Sequence, residues 1–236
     1  MKVYAIILAA GQARRMKANK NKMFLQLKKP ILAHTLKMFE NCDKVDEIVL
    51  VANQIEIKNA EKVVEEHGFS KVTGYVVGGS ERQRSSYNGV FSLNAADDDI
   101  VIIHDGARPF IREETILGSI RDASKFGASV VGVPAKNTIK IVNTEHIIES
   151  TLNRDNLWVI QTPQTFRFSI IKKAHEKAKE EKFLGTDDSV LAERLSIKVK
   201  LTRGHYDNIK ITTPDDLILA EKMKLRSQFF STTLSS

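Results

Sequence analysis

Short apolar runs that alternate with helix-like stretches restrict the fold of this chain more than any other feature. Continuously apolar runs are typical of strands in a sheet that is covered on both faces. Val3–Ala9 is such a run, and strands are also expected over Glu47–Ala52, Val72–Val77, Ile100–His104, Ala128–Val133 and Ile197–Leu201. Helical spacing is found over Ile31–Phe39, Ile55–His67, Ser80–Asn94, Glu113–Phe126, Phe168–Lys179 and Asp187–Arg194, and from Thr213 onward. The alternation predicts an α/β fold with a doubly wound, mostly parallel sheet.

Local signals place some boundaries of these elements. Gly68 and Gly127 stand where helices are expected to stop, and Ser80 with Gln83 resembles a capping box. After Val133 the alternation changes. Two short alternating segments, with three polar residues between them, favour an antiparallel hairpin. They are Thr138–Val142 and His146–Ser150. We expect one domain over residues 1–226, an arm at about 137–160 and a flexible tail over 227–236.

Composition excludes several classes of protein. Hydrophobic residues make up 42% of the 236 residues and charged ones 28%, a balance typical of soluble globular proteins and not of disordered ones. The single cysteine, Cys42, cannot form an internal disulfide. No apolar run approaches the roughly 20 residues that cross a bilayer, and the N-terminus lacks a signal-peptide pattern. We therefore expect a cytoplasmic protein without a membrane partner.

The net charge of +7 calls for an anionic partner or a solvated basic face. Seven basic residues and no acidic one lie between positions 14 and 29. In a doubly wound sheet, ligands bind beyond the carboxyl ends of the strands. That rule selects the loops Ala9–Lys22, Gly78–Ser86, His104–Pro109 and Pro134–Thr138.

The first of these loops suits a phosphate group. The small residues Ala9, Ala10 and Gly11 allow backbone amides to approach phosphate oxygens closely, and Arg15 and Lys22 add positive charge. Neither a P-loop nor a G-x-G-x-x-G pattern is present. An ordinary strand-to-helix turn with solvated cations remains the alternative at this point.

Several motifs resemble those of one family of nucleotidyltransferases. LAAGQARRM near the N-terminus, followed by Lys22, is similar to the signature of sugar-nucleotide nucleotidylyltransferases. Six further segments match in order and spacing the 2-C-methyl-D-erythritol 4-phosphate cytidylyltransferases. They are GGSERQRSSYNG (78–89), HDGARPF (104–110), PAKNTIK (134–140), TPQTF (162–166), GTDDS (185–189) and DNIKITTPDDL (207–217). The resemblance covers nearly the whole chain and implies a Rossmann-like nucleotidyltransferase fold.

The resemblance implies that CMP is transferred from CTP to the 4-phosphate of methylerythritol, with release of pyrophosphate, in non-mevalonate isoprenoid precursor synthesis. An ionised phosphate oxygen of the acceptor is the nucleophile, so no general base is needed and catalysis depends on positioning and charge. By matching position, Arg15 and Lys22 stabilise the pentacoordinate phosphorus. Many members of the family have glycine where Ala13 stands, which removes no functional group.

The second loop is expected to read the cytosine base. Gly78 and Gly79 permit close approach, and Ser85 can donate and accept hydrogen bonds at the polar edge of the base. Arg82 is expected to buttress the loop. Helix capping is the alternative for Ser85 and Arg82.

The third loop offers one carboxylate, Asp105, at the end of a strand. Asp105 either helps to hold Mg²⁺ or bonds a sugar hydroxyl, and Arg108 either binds a phosphate or locks the loop to Asp105. His104 is expected to be a hydrogen-bonded residue at the end of its strand and not a metal ligand. For Asp187 and Asp188, capping of a helix N-terminus is favoured over catalysis.

The acceptor side is implied by the resemblance alone. Thr138, Arg154 and Lys210 contact or orient methylerythritol phosphate. The hairpin is an arm that embraces a second subunit in a homodimer, so Thr138 and Arg154 act either within one chain or across the dimer. For Lys210, an ordinary surface lysine is the alternative.

Three other functions remain as alternatives. A ribitol 5-phosphate cytidylyltransferase shares the CTP loops and differs on the acceptor side. A nucleic-acid-binding module agrees with the basic charge, but the chain lacks interleaved aromatic residues, a recognition helix and a zinc-finger pattern. A non-catalytic nucleotide sensor is disfavoured because Arg15 and Lys22 are both present.

Overall fold

A seven-stranded sheet forms the centre of the structure, a computed structural model that describes residues 1–11, 22–27 and 29–233. The strands are β1 (Val3–Leu8), β2 (Gln26–Leu27), β3 (Lys29–Pro30), β4 (Glu47–Ala52), β5 (Val72–Val77), β6 (Ile100–Asp105), β7 (Ala128–Pro134), β8 (Lys140–Val142), β9 (Ile148–Thr151), β10 (Trp158–Arg167) and β11 (Lys200–Arg203). The α-helices are α1 (Ile31–Glu40), α2 (Ile57–His67), α3 (Arg82–Phe91), α4 (Glu113–Phe126), α5 (Phe168–Glu180), α6 (Ser189–Arg194) and α7 (Pro214–Thr233). Short 3-10 turns cover Lys22–Phe24, Gln54–Glu56 and Arg154–Asn156.

The order of strands in the central sheet is β11-β7-β10-β6-β1-β4-β5. Every neighbouring pair is parallel except the two that β10 makes with β6 and β7, which are antiparallel. The predicted fold class, a mostly parallel α/β sheet with helices on its faces, is confirmed. Because the parallel strands share one direction, their carboxyl ends meet at one edge of the sheet.

The two faces of the sheet are buried in separate apolar clusters. Along β1, Ala5 and Ile7 pack with α1 and α2 on one face, and Ile6 and Leu8 pack with α3 and α5 on the other. All six residues of β1 are buried. This double burial explains why the apolar runs show no polar alternation.

Strand β10 was not predicted from the sequence. Its segment Gln161–Thr165 is polar around Pro163, so it lacks the apolar pattern that marks the other strands. The polar side chains are nevertheless buried, and hydrogen bonds satisfy them: Thr165 Oγ1 donates to Ser119 Oγ over 3.0 Å. The register of β10 against β7 shifts between Ile160 and Gln164. The Thr162–Pro163 peptide bond is cis.

Two helix ends follow the glycine signals, and one helix start does not follow its signal. Gly68 and Gly127 end α2 and α4 with φ values of 65° and 88°, as the sequence predicts. The predicted capping box of Ser80 and Gln83 is wrong. Helix α3 starts at Arg82 without a side-chain cap. The side chain of Gln83 is engaged elsewhere, because its Nε2 donates to the Phe183 carbonyl and its Oε1 accepts from the Gly185 amide.

Two further boundaries differ from the sequence prediction. The strand expected over Ile197–Leu201 is β11, which begins three residues later at Lys200 and pairs with β7. Ile197 and Val199 lie outside the strand. Their apolar side chains pack against the core cluster to which α5 contributes. Helix α7 begins after Thr213 as expected, but it continues through residues 227–233, where the sequence predicts a flexible tail.

The predicted hairpin is confirmed as a separate two-stranded sheet of β8 and β9. All seven residues of these strands are exposed. We refer to residues 137–160, which include this hairpin, as the arm. Among the described residues, no helix combines the length and apolar composition needed to cross a membrane.

Candidate active site

The backbone at the carboxyl ends of the parallel strands is held together by hydrogen bonds between loops. The Ala9 amide donates to the Val51 carbonyl over 2.7 Å, and the Gly106 amide donates to the Leu8 carbonyl over 2.9 Å. The Gly78 amide donates to the Ala52 carbonyl over 2.8 Å. Three of the loops that the sequence predicts as ligand-binding therefore lie side by side at this edge.

Asp105, the last residue of β6, is surrounded by three cations. Its Oδ1 lies 3.2 Å from Nε of Arg82, and its Oδ2 lies 2.8 Å from Nζ of Lys210 and 3.6 Å from Nε of Arg108. We call these four residues the Asp105 cluster. Arg82 begins α3, Arg108 lies in the loop after β6 and Lys210 lies in the segment after β11, so distant parts of the chain meet at one carboxylate.

The charges of the cluster keep Asp105 ionised. Burial alone raises the pKa of this carboxyl group, but the positive charges of Arg82, Lys210 and Arg108 outweigh burial and hold the pKa well below its usual range. Because three cations meet one carboxylate here, the cluster carries excess positive charge, and its half-buried member Lys210 is the one most accessible to solvent. Such a surface attracts phosphate groups.

His104 precedes Asp105 and is fully buried. Its Nδ1 lies 3.1 Å from Thr162 Oγ1, and its Nε2 lies 3.2 Å from the Arg108 carbonyl oxygen. Burial lowers the pKa of His104 to about 3, so the ring is neutral at physiological pH. The prediction of a hydrogen-bonded histidine at the end of the strand is confirmed.

The loop from Gly78 to Ser85 is closed by the Ser85 hydroxyl. The Gly79 amide donates to Ser85 Oγ over 3.0 Å, and this hydroxyl donates to the Glu81 carbonyl over 3.2 Å. A Cβ atom at Gly78 would lie 2.3 Å from Cβ of Ala10, so the first and second loops touch where only glycine fits. Ser85 is buried and therefore shapes the loop in this structure.

The two aspartates of the GTDDS motif have different roles. Asp187 accepts from the Val190 amide over 3.1 Å, so the predicted helix cap is confirmed for this residue. The same prediction is wrong for Asp188, whose side chain makes no cap. Asp188 is fully buried and pairs with Arg82 instead, with Oδ2 2.6 Å from Arg82 Nη1.

Residues that the sequence analysis did not single out hold the Asp105 cluster in place. Thr162 Oγ1 accepts from the Asp105 amide over 3.0 Å. Arg108 Nη1 donates to the Asn208 carbonyl over 2.8 Å, and Asn208 Nδ2 donates to Gln161 Oε1 and to the Thr162 carbonyl. The only signal for these residues is a set of polar side chains within the TPQTF and DNIK motifs and at Gln161, immediately before TPQTF.

The remaining predicted residues are not joined to the cluster. Arg154 and Thr138 are exposed on the arm, and Arg154 Nη1 donates to the Lys136 carbonyl over 2.8 Å. Within the described residues, no hydrogen bond or ion pair links either residue to the Asp105 cluster. Arg15 lies outside the described residues, and of Lys22 only the backbone is described, at the start of a 3-10 turn.

Comparison with known proteins agrees with this geometry. A family model described as 2-C-methyl-D-erythritol 4-phosphate cytidylyltransferase (IspD) matches residues 3–226. The chain is 50% identical over 224 residues to a protein of that name from Geotalea uraniireducens, covering 94% of this chain and 96% of the relative. The corresponding protein from Geobacter metallireducens is 48% identical, with 94% and 97% covered.

Solved structures agree as well. The crystal structure of 4-diphosphocytidyl-2C-methyl-D-erythritol synthase from Anaerococcus prevotii superposes with a TM-score of 0.82 and 33% identity, covering 95% of this chain and 96% of that one. The cytidylyltransferase from Francisella tularensis gives 0.79 and 30%, with 93% and 98% covered.

Proposed function

The chain belongs to the 2-C-methyl-D-erythritol 4-phosphate cytidylyltransferase family, and from this premise we propose how its residues carry out the reaction. The enzyme transfers CMP from CTP to 2-C-methyl-D-erythritol 4-phosphate and releases pyrophosphate. The observation that carries the assignment of roles is the convergence of Arg82, Arg108 and Lys210 on Asp105 at the ligand-binding edge of the sheet. Two phosphate-bearing substrates require such a concentration of positive charge.

The chemical step needs charge and alignment more than proton transfer. An ionised phosphate oxygen of the acceptor forms a bond to the α-phosphorus of CTP. The bond from that phosphorus to the bridging oxygen breaks, and its electron pair leaves with pyrophosphate. Arg15 and Lys22 stabilise the negative charge that grows on the equatorial oxygens in between.

CTP binds to the first two loops in this proposal. The backbone of Ala9, Ala10 and Gly11 faces the phosphates. Gly78, Gly79 and the second loop enclose the cytosine base. The close approach of Gly78 to Ala10 supports this arrangement because it places the two loops side by side. Ser85 and Arg82 fix the shape of the second loop.

The acceptor binds on the other side of the cluster. Lys210 is the most exposed member, with 35% of its side chain accessible, and receives the acceptor phosphate together with Arg154. Asp105 bonds an acceptor hydroxyl group, Arg108 holds the loop, and Thr138 orients the acceptor from the arm. Thr138 and Arg154 reach the site either within one chain or from the partner of a dimer.

A homodimer formed through the arm is part of the proposal. The arm exposes several large apolar side chains, which a second copy of the chain would cover. They are Ile139, Ile141, Val142, Ile147, Ile148, Val159 and Ile160. We also propose that residues 1–226 form one catalytic domain and that the protein works in the cytoplasm, which agrees with its unpaired Cys42.

Nucleotidyltransferases generally use a divalent metal ion, and we propose Mg²⁺. The described side chains do not fit a resident ion, because both oxygens of Asp105 already contact cations. No group of three possible ligand side chains occurs among the described residues. The fit is better for Mg²⁺ that arrives on the CTP phosphates as part of the substrate. Direct ligation by Asp105 requires Lys210 to leave Oδ2.

The function is tested by incubating the protein with CTP, Mg²⁺ and methylerythritol 4-phosphate while pyrophosphate is monitored. Ribitol 5-phosphate is compared as acceptor in a parallel reaction. We expect turnover with methylerythritol 4-phosphate to be much the faster. Faster turnover with ribitol 5-phosphate would identify the alternative enzyme, and no pyrophosphate with either acceptor would refute the proposal.

The catalytic role of the first loop has its own test. Lys22→Ala is expected to lower kcat by about a hundredfold or more, because a preorganised charge contact to the transition state is lost. Lys29→Ala removes an exposed lysine from the same basic segment and serves as the control. An unchanged kcat in Lys22→Ala would remove Lys22 from the mechanism.

A further inference from the structure

Arg82 is held between two carboxylates that belong to different elements. Its Nε faces Asp105 at the end of β6 over 3.2 Å, and its Nη1 faces Asp188 at the start of α6 over 2.6 Å. Two anchored nitrogens fix the plane of a guanidinium group, whereas one leaves it free to pivot. The third nitrogen, Nη2, is buried and has no hydrogen-bond partner among the described residues.

Asp188 is enclosed on the side away from Arg82. Its Oδ1 lies 3.5 Å from Nε2 of His175 on α5, and the same nitrogen lies 3.2 Å from the Ser86 hydroxyl on α3. His175 and Asp188 are both almost completely buried. Burial raises the pKa of Asp188, but the charge of Arg82 and the bond to His175 outweigh burial and lower it, so the carboxylate is ionised.

The backbone that carries Asp188 is also fixed. Gln164 Oε1 on β10 accepts from the amides of Asp188 and Ser189 over 2.9 and 3.0 Å. Gln83 bonds the Gly185 amide over 2.7 Å, which ties α3 to the same segment. A fully buried side chain in such a frame does not touch a substrate, and Arg82 is the direct link between Asp188 and Asp105.

We propose that Asp188 is a positioning residue, which fixes the Arg82 guanidinium and, through it, the Asp105 carboxylate in the orientation that receives substrate. The inference deepens the proposed function and rests on the place given there to Arg82 and Asp105. His175 and Ser86 support Asp188 from behind. This series of contacts extends from the interior between α3, α5 and α6 to the edge of the sheet.

The test is Asp188→Asn, which keeps the size of the side chain and removes its charge. We expect kcat/KM to fall by about tenfold or more, because a charge-assisted hydrogen bond of this kind contributes at least that factor. Asp122→Asn is the matched control. Asp122 is a buried carboxylate on α4 that accepts from Thr202 Oγ1 over 2.7 Å. The control is expected to lower the Tm without changing kcat/KM.

A double-mutant cycle separates positioning from a merely structural role. In an Arg82→Ala background, Asp188→Asn should change kcat/KM by less than about twofold, because the guanidinium group that Asp188 orients is no longer present. An effect below about twofold in the otherwise unchanged protein, or an equal loss in both backgrounds, would overturn the inference. Activity of the unmodified protein with CTP and methylerythritol 4-phosphate is measured alongside, so failure of the proposed function is recognised separately.

A second variant covers the case in which Asp188→Asn does not fold. His175→Phe keeps a ring of similar size and its edge-on contact with Tyr87 but removes the nitrogen that faces Asp188. We expect a loss of about threefold or more in kcat/KM that disappears in the Arg82→Ala background. A loss that persists there, or no loss at all, contradicts the inference.

Discussion

The Asp105 cluster and the arm are both expected to bind the acceptor, yet their surroundings are opposite. Asp105 is buried, and three cations and the Thr162 hydroxyl hold it in place. Arg154 on the arm is exposed and bonds one carbonyl oxygen of its own chain. The cluster is organised within one subunit before substrate arrives. The arm exposes apolar side chains, which a second subunit covers in our proposal.

This difference separates two kinds of preorganisation. Charges buried among fixed partners keep their geometry without a ligand and need little reorganisation during the reaction. Exposed side chains on a two-stranded hairpin acquire a fixed geometry only against another surface. Substitutions in the cluster should therefore change the activity by the same factor at every protein concentration. Substitutions in the arm should change the activity by weakening the dimer.

Between these two regions, the largest effect is expected for Lys210→Ala. It removes the most accessible cation of the cluster and should lower kcat/KM for the acceptor by about a hundredfold, because a preorganised charge contact to phosphate is lost. The loss should be the same at every protein concentration. Steady-state kinetics with Lys198→Ala, an exposed lysine before β11, as the control will measure it. A loss of kcat/KM that depends on protein concentration would show that the cluster, like the arm, depends on assembly.

A smaller effect is expected when the apolar surface of the arm is made charged. Ile141→Glu combined with Ile148→Glu should give monomers in sedimentation velocity and lower the activity by about tenfold at dilute protein, because buried charge destabilises an interface. Ile55→Glu is the matched control, since Ile55 is 81% exposed outside the arm. Intact dimers in the double variant would refute the arm as the dimer contact.

Arg154→Ala should mainly raise KM for the acceptor, by about tenfold, and leave KM for CTP unchanged, because one charge-assisted contact to phosphate is lost.

Mixing this variant with Lys22→Ala shows which subunit Arg154 serves. If Arg154 acts across the dimer, mixed dimers regain one intact site, and at an acceptor concentration well below KM an equal mixture should approach about a quarter of full activity. No recovery on mixing places Arg154 in its own chain's site, and a raised KM for CTP would contradict the acceptor role.

The smallest effect concerns acid stability. Folding lowers the pKa of Asp105 and Asp188, so the stability that they contribute is complete above the unfolded-state pKa of about 4 and is lost as pH falls below it. Asp188→Asn should therefore reduce the slope of unfolding free energy against pH below about pH 4, by up to about 1.4 kcal/mol per pH unit. Urea unfolding from pH 3 to 7 measures the slope, with exposed Asp43→Asn as the control. Equal slopes in Asp188→Asn and the unmodified protein would show that Asp188 is not part of this acid response.

Local patterns in the sequence predicted most of the sheet. The buried runs of β1, β4, β6 and β7, the stops at Gly68 and Gly127 and the hairpin all depend on neighbours within a few residues. Strand β10 was missed because the hydrogen-bond partners of its buried polar residues are distant along the chain. The capping box at Ser80 failed for the same reason, since Gln83 found partners about a hundred residues away.

The sequence by itself determined the alternating sheet and, through the order of its motifs, the family, and it predicted which loops bind ligands. Only the tertiary structure decided which charges meet. Arg82 and Asp188 are separated by 106 positions along the chain, and nothing local distinguishes Asp188 from Asp187 beside it. Burial makes the difference: a carboxylate removed from water must find a cation, and the fold alone determines which cation is within reach.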